Sequence, residues 1–209
     1  MGINLGGIQP LTPTTENQGV QQVQNNKGEM VLNLSKGITL DLSKRLPNLK
    51  VIRLGLGWDT ISGQKIDLDI FAFATVNGKV VHEQDVIYFN NPQSQGITLS
   101  GDNRTGEGDG DDESIIVDFR NLKPEITGIS VFANAYDQGV NFGMLKNVYI
   151  RLVDEETGKE EAIYVLNKEA GMNNAFHFVD LEVIPSGLKL KTVGQPLNGD
   201  INAVLRKYA

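Results

Sequence analysis

From Met30 onward the chain carries short apolar runs rich in Val, Ile, Phe and Tyr, separated by Gly, Asn, Asp and Pro. The run Ile66-Asp67-Leu68-Asp69-Ile70-Phe71-Ala72-Phe73 alternates clearly through its first half. In a strand this period of two buries Ile66, Leu68 and Ile70 on one face and sets Asp67 and Asp69 together on the solvated face. Val76-Asn77-Gly78-Lys79 then reads as a hairpin, because a type I′ turn needs positive φ at both central residues. The same pattern predicts a returning strand over Val80 to Tyr88, and strands over Ser114 to Phe119 and Gly128 to Ala135. Tyr149 to Val153 and Glu161 to Val165 flank a second hairpin turn at Glu156-Thr157-Gly158-Lys159. Phe176 to Ile184 and Leu188 to Val193 flank a third at Pro185-Ser186-Gly187. Only Asp200 to Tyr208 has helical character, with Asp200 or Asn198 as its cap. Many short strands at this spacing predict an all-β protein, a β-sandwich with few short helices.

Residues 1–28 differ in texture. The stretch Gln18 to Asn26 is polar with few large apolar groups, so it cannot bury enough surface to offset the entropy of its own ordering. It is read as a flexible tail or a docking arm, with residues 29–209 as the β-sandwich domain. The net charge of −7 and pI near 4.9 disfavour phosphate backbones, so no nucleic-acid partner is expected, and they suit cations or basic partners. The absence of cysteine removes disulfides, thiolate metal sites and thiol nucleophiles. No apolar run approaches the ~18 residues of a membrane span, and Met1 to Pro10 lacks the features of a signal peptide. A cytoplasmic location is the expectation.

The chemistry concentrates in Gly101-Asp102-Asn103-Arg104-Thr105-Gly106-Glu107-Gly108-Asp109-Gly110-Asp111-Asp112-Glu113, where six carboxylates crowd into thirteen residues. Charges that close repel one another and call for a counterion or solvent. Glycines at 106, 108 and 110 allow the backbone to wrap tightly. Carboxylates, an Asn amide oxygen and backbone carbonyls together form the all-oxygen donor set that calcium takes, with six to eight ligands at ~2.3–2.6 Å. Zinc or copper is a poor match with no thiol and two histidines. An EF-hand is excluded: Asp102 to Glu113 has the right length, but Arg104 and Glu107 stand where an oxygen donor and a glycine are required. Phosphate cradling is disfavoured by the six carboxylates unless a metal intervenes. Asp67 and Asp69, projecting in parallel about 7 Å apart, are the expected donors from outside the loop, against the plainer reading of a solvated strand face.

Leu34-Ser35-Lys36-Gly37, Val51 to Asp59, Asp67-Leu68-Asp69, Gly101 to Glu113 and Asn141-Phe142-Gly143 stand in an order and spacing that resemble the TerD family of tellurium-resistance and stress proteins, across roughly Met30 to Gly194. The resemblance implies a β-sandwich binding calcium, two ions close together. It carries the ligand role to Asp67 and Asp69, and to Asp102, Asn103, Glu107, Asp109, Asp111, Asp112 and Glu113, with Asp59 as a weaker candidate. It further implies a non-enzymatic role in tellurite, stress, colicin and phage resistance. The partners it implies are other tellurium-resistance proteins, in assemblies peripheral to the inner face of the membrane. The extra residues 1–28 keep an alternative open: a structural or decoration protein of a phage or contractile particle, self-associating through the arm and stapled by calcium.

The remaining candidates are weaker. His82 is expected on an exposed strand, and His177 on the face opposite Phe176 and Phe178. Neither has a serine and acid arranged for a triad. Trp58 is expected in the core. Asn90-Asn91-Pro92 reads as a turn that could lend an amide oxygen, and Arg104 as a neutraliser of the acidic loop. A hydrolase built on paired carboxylates needs an apolar wall to separate their pKa values, which a loop this acidic and glycine-rich does not supply.

Overall fold

A computed structural model describes residues 20–61, 65–101, 110–166 and 170–208. Among the described residues the strands form two sheets. In chain order the strands are β1 (Val20–Gln24), β2 (Met30–Leu34), β3 (Thr39–Asp41), β4 (Val51–Thr60), β5 (Leu68–Thr75), β6 (Val86–Ile87), β7 (Gln93–Ser94), β8 (Ile97–Ser100), β9 (Glu113–Asp118), β10 (Gly128–Ala135), β11 (Leu145–Asp154), β12 (Lys159–Val165), β13 (Ala175–Ile184) and β14 (Gly187–Leu197). The larger sheet runs β1-β2-β12-β11-β4-β9-β8-β7 and the smaller β3-β14-β13-β10-β5-β6. The helices are α1 (Leu42–Arg45) and α2 (Ile201–Leu205), with short 3₁₀ turns at Glu83–Asp85 and Phe142–Met144.

The inner faces of the two sheets share one apolar core. Ile52, Leu54 and Leu56 of β4 meet Leu68, Ile70 and Ala72 of β5, together with Val131, Ile150 and Phe178 from their neighbours. A second, smaller core lies on the outer face of the six-stranded sheet. There Phe71, Phe73 and Phe132 pack under Val204 of α2, with Tyr208 against them. This cover explains why β5 is buried along its whole length, where the alternation predicts one solvated face. Asp200 caps α2, its carboxylate accepting from Ala203 N at 2.8 Å. His177 lies on this outer face as alternation predicts, tilted over the Phe132 ring at 4.3 Å and held by Asp180 at 2.8 Å.

Two expectations are corrected. The Asn77-Gly78 turn forms with φ of 52° and 81°, but no long strand returns from it. After the Val76–Lys79 bridge the chain leaves the sheet, places His82 before the 3₁₀ turn, and rejoins β5 only through Val86–Ile87. The tie there is a buried ion pair, Lys123 Nζ to Asp85 Oδ1 at 2.6 Å, with Ser94 Oγ donating to the same oxygen at 2.9 Å. The second correction concerns the arm: residues from Val20 enter the larger sheet as β1, paired antiparallel with β2. An Asn25-centred turn closes this hairpin, its side-chain oxygen accepting from Lys27 N and Glu29 N. Val23 of β1 is 5% exposed and Val20, on the opposite face, packs against the core, which is enough for a strand at an edge. Residues 1–19 lie outside the described residues.

Candidate functional site

The acidic segment re-enters the described structure at Gly110, and its last four residues are each fixed by a different partner. The Tyr149 hydroxyl donates to Gly110 O at 2.7 Å. Asp111 lies on the outer face of the larger sheet, its carboxylate shared between the Arg53 and Arg151 guanidinia. With 3% of its side chain exposed, it is a buried charge compensated by two cations. Asp112 N donates to Leu56 O at 2.8 Å, and its carboxylate accepts from Trp58 N at 3.1 Å. Glu113 opens β9, opposite Leu56 of β4. Its side chain points inward and crosses to the other sheet, where Oε2 accepts from Ile70 N at 2.6 Å. Three consecutive carboxylates thus face three ways, which a regular pleat would not allow, since it sets residues two apart on one face; the chain turns through Asp111 and Asp112 before β9 begins at Glu113.

Two glycines make this possible. Gly55 and Gly57 sit on the outer face of β4, beside Arg53. A Cβ on Gly55 would overlap the Asp111 carboxylate, and one on Gly57 would overlap the Tyr149 ring. Glycine inside a strand marks such close approach, so Leu54-Gly55-Leu56-Gly57 is a two-notch cradle for the end of the acidic loop. The guanidinia are held in turn, Arg53 by Glu155 at 2.7 Å and Arg151 by Glu160 at 3.2 Å. Burial, with the Asp111 charge adding to it, pushes the Tyr149 phenol up to about 12.

Asp69 lies on the outer face of the smaller sheet, on the same side as Phe71, and Asp67 stands just before β5. The Glu113 hydrogen bond to Ile70 N brings the end of the acidic loop to within one residue of Asp69 along β5. The structure therefore joins Asp67–Asp69 and Asp112–Glu113, over forty positions apart in sequence, at one end of the sandwich. It gives Asp111 to the arginines. Asp59 is exposed, and its carboxylate accepts from Asn147 Nδ2 at 2.6 Å. Asp102, Asn103, Glu107 and Asp109, with Arg104, lie outside the described residues. Among the described residues no three His, Cys, Asp or Glu side chains form a group that would hold a metal ion. Trp58 is buried as expected, its indole N–H donating to Ile66 O at 3.0 Å. Asn91 closes a turn, donating to Val86 O at 2.7 Å.

Sequence reasoning missed Arg53, Arg151 and Tyr149, which alternate with core residues and look like ordinary surface groups; the paired glycines were the available signal. It also missed Asn134. This residue lies directly across from Asp69 in the β5–β10 register, 5% exposed, with a buried side-chain oxygen that has no donor.

Comparison with known proteins agrees with this picture. Residues 30–208 match the TerD domain. The chain is 38% identical to the tellurium resistance protein TerD of Serratia marcescens over 187 residues, covering 86% of this chain and 97% of that protein. It is 32% identical to the stress response protein SCP2 of Bacillus subtilis (strain 168), covering 81% and 94%, and 31% identical to the general stress protein 16U of the same organism, covering 86% and 97%. A crystal structure of a TerD homologue from Streptomyces coelicolor A3(2) shares the fold, with a TM-score of 0.61 at 19% identity over 76% of this chain and 96% of that one. The acidic loop end anchored on a glycine-notched strand belongs to a chain that is a member of the TerD domain family, a family of non-enzymatic stress and resistance proteins.

Proposed function

We propose that this protein is a calcium-binding module that acts by docking other proteins. The observation that supports it most is the Glu113 to Ile70 hydrogen bond, because it ties the acidic loop to the strand bearing Asp67 and Asp69. The donors at that end of the sandwich are oxygens only, which fits a hard cation of irregular coordination and does not fit zinc or copper. Asp67, Asp69, Asp112 and Glu113 would hold the ion with help from the loop residues 102–109. Asp111 acts as an anchor that positions its two neighbours. Bound calcium supplies the positive charge that lets these side chains lie close together and orders the loop as a surface.

The partners fitting this reading are other tellurium-resistance proteins, assembled at the inner face of the membrane. No helix among the described residues is long and apolar enough to cross a membrane, so attachment would be peripheral. Calorimetric melting of the full chain tests the calcium reading. At a calcium concentration 100 times its Kd the native state gains about 2.7 kcal/mol, which raises Tm by about 5–10 °C for a chain this size. Magnesium should do less. A melt that does not move between chelator and millimolar calcium overturns the proposal.

A further inference from the structure

Asp69 shares its face of the smaller sheet with a polar side chain from the next strand. The antiparallel register sets it opposite Asn134 of β10. The pleat turns both side chains outward, on the side of Phe71 and Phe132. Residues opposed in this way hold their Cβ atoms about 4.5–5.5 Å apart, so a single ion can be reached from both strands. Asn134 is 5% exposed. Its Nδ2 donates to Ala135 O at 3.3 Å, while its buried Oδ1 accepts from no donor among the described residues. Folded proteins seldom leave such an oxygen bare. Both residues line a cavity of about 590 Å³ whose rim carries the exposed rings of Phe89 and Tyr136, so water can reach this point of the sheet.

A hydrogen-bond donor would serve the amide oxygen alone. A hard cation serves the amide and the carboxylate across from it, and both are ligand types that calcium takes. We propose that Asn134 Oδ1 is a calcium ligand, and that it carries a preference for calcium over magnesium. The inference rests on the calcium reading of Asp69 and extends it to a second strand. Calcium accepts six to eight oxygens in irregular geometry, so a neutral oxygen adds a ligand without adding repulsion among the carboxylates. Magnesium demands near-octahedral geometry at ~2.0–2.1 Å and keeps several of its waters, so it gains little from an oxygen fixed on a separate strand. β10 is paired on both sides, to β5 and to β13, and a residue on such a framework presents its oxygen in one place.

The test uses the full chain and the two metals alone. Asn134→Leu keeps the bulk of the side chain and removes its oxygen. Because that oxygen has no partner to lose, the variant should melt in chelator close to the wild type. Titration calorimetry should show its calcium affinity down at least about tenfold and its magnesium affinity little changed. In the ¹³C-labelled wild type, the Asn134 Cγ resonance should move on adding calcium and move less with magnesium. If the wild type binds calcium but Asn134→Leu binds it equally well, or if the Cγ resonance stays in place, the proposal is overturned and the calcium reading stands. An equal loss for both metals overturns the claimed preference. A variant that melts far lower in chelator shows that the oxygen is already paired within the protein, which also overturns it. A wild type that binds no calcium overturns both the proposal and the reading beneath it.

Discussion

Gly55→Ala adds a single methyl group, yet it should act as if it removed an ion pair. The methyl would occupy the space of the Asp111 carboxylate, which must leave the Arg53 and Arg151 guanidinia. Breaking a buried pair costs about 3–5 kcal/mol. Here Glu155 and Glu160 still attend the two arginines, so the low end applies, about 3 kcal/mol. Asp111→Ala removes the same interaction and should cost about the same. In the double variant the vacated space accepts the new methyl, and alanine loses less entropy on folding than glycine, a gain of about 0.5–1 kcal/mol. Its loss should therefore be about 2–3 kcal/mol rather than the sum of the singles, a coupling of about 3 kcal/mol. Urea unfolding of the four proteins measures this from shifts in midpoint at constant m, and each single variant should melt about 6–12 °C lower. Additive losses near 6 kcal/mol, or an unaffected Gly55→Ala, would refute the notch-and-anchor reasoning.

Three further outcomes follow from the same geometry. Glu113→Gln keeps an oxygen for Ile70 N and removes one charge, so calorimetry should show calcium affinity down at least about tenfold with little change in the metal-free melt. Burial raises the phenols of Tyr149 and Tyr208 to about 12 in the fold, against about 10 when unfolded. Their contribution is complete below pH 10 and is lost as pH rises to 12, so stability should fall across that window, and ultraviolet titration should find Tyr149 and Tyr208 ionising late. Tyr149→Phe should shrink that fall. Lys123→Ala strands the Asp85 carboxylate, which is 2% exposed, and should cost about 3–5 kcal/mol in urea unfolding; Lys44→Ala, on a lysine 83% exposed, should change little.

Most of the sandwich was legible because its strands obey simple rules. Gly128–Ala135 appears at its expected bounds, and the Asn77-Gly78 turn takes the backbone that its residues favour. The Val80 to Tyr88 strand failed because apolar character alone does not supply a partner; Val80 and Val86 instead pack with the outer core beneath α2. The strand at Val20–Gln24 was hidden for the converse reason: an edge strand needs few buried side chains, and here Val20 packs against the core while Val23, on the opposite face, is itself buried. The site was half legible. Crowded carboxylates announced themselves, but the sequence does not say which direction each one faces. That follows from the irregular backbone ahead of β9 and from the space left by Gly55, so Asp111 could not be told apart from Asp112 and Glu113. Asn134 was hidden because a polar residue on an outer strand face is unremarked until a helix and an aromatic rim enclose it.

The central claim is that a cation joins the Asp67–Asp69 strand to the Asp112–Glu113 end of the acidic loop. Anomalous diffraction from crystals grown in calcium locates the ion directly. The account predicts a peak about 2.3–2.6 Å from carboxylate oxygens of both segments. Well-ordered carboxylates turned into solvent, with no peak between the two segments, would contradict it.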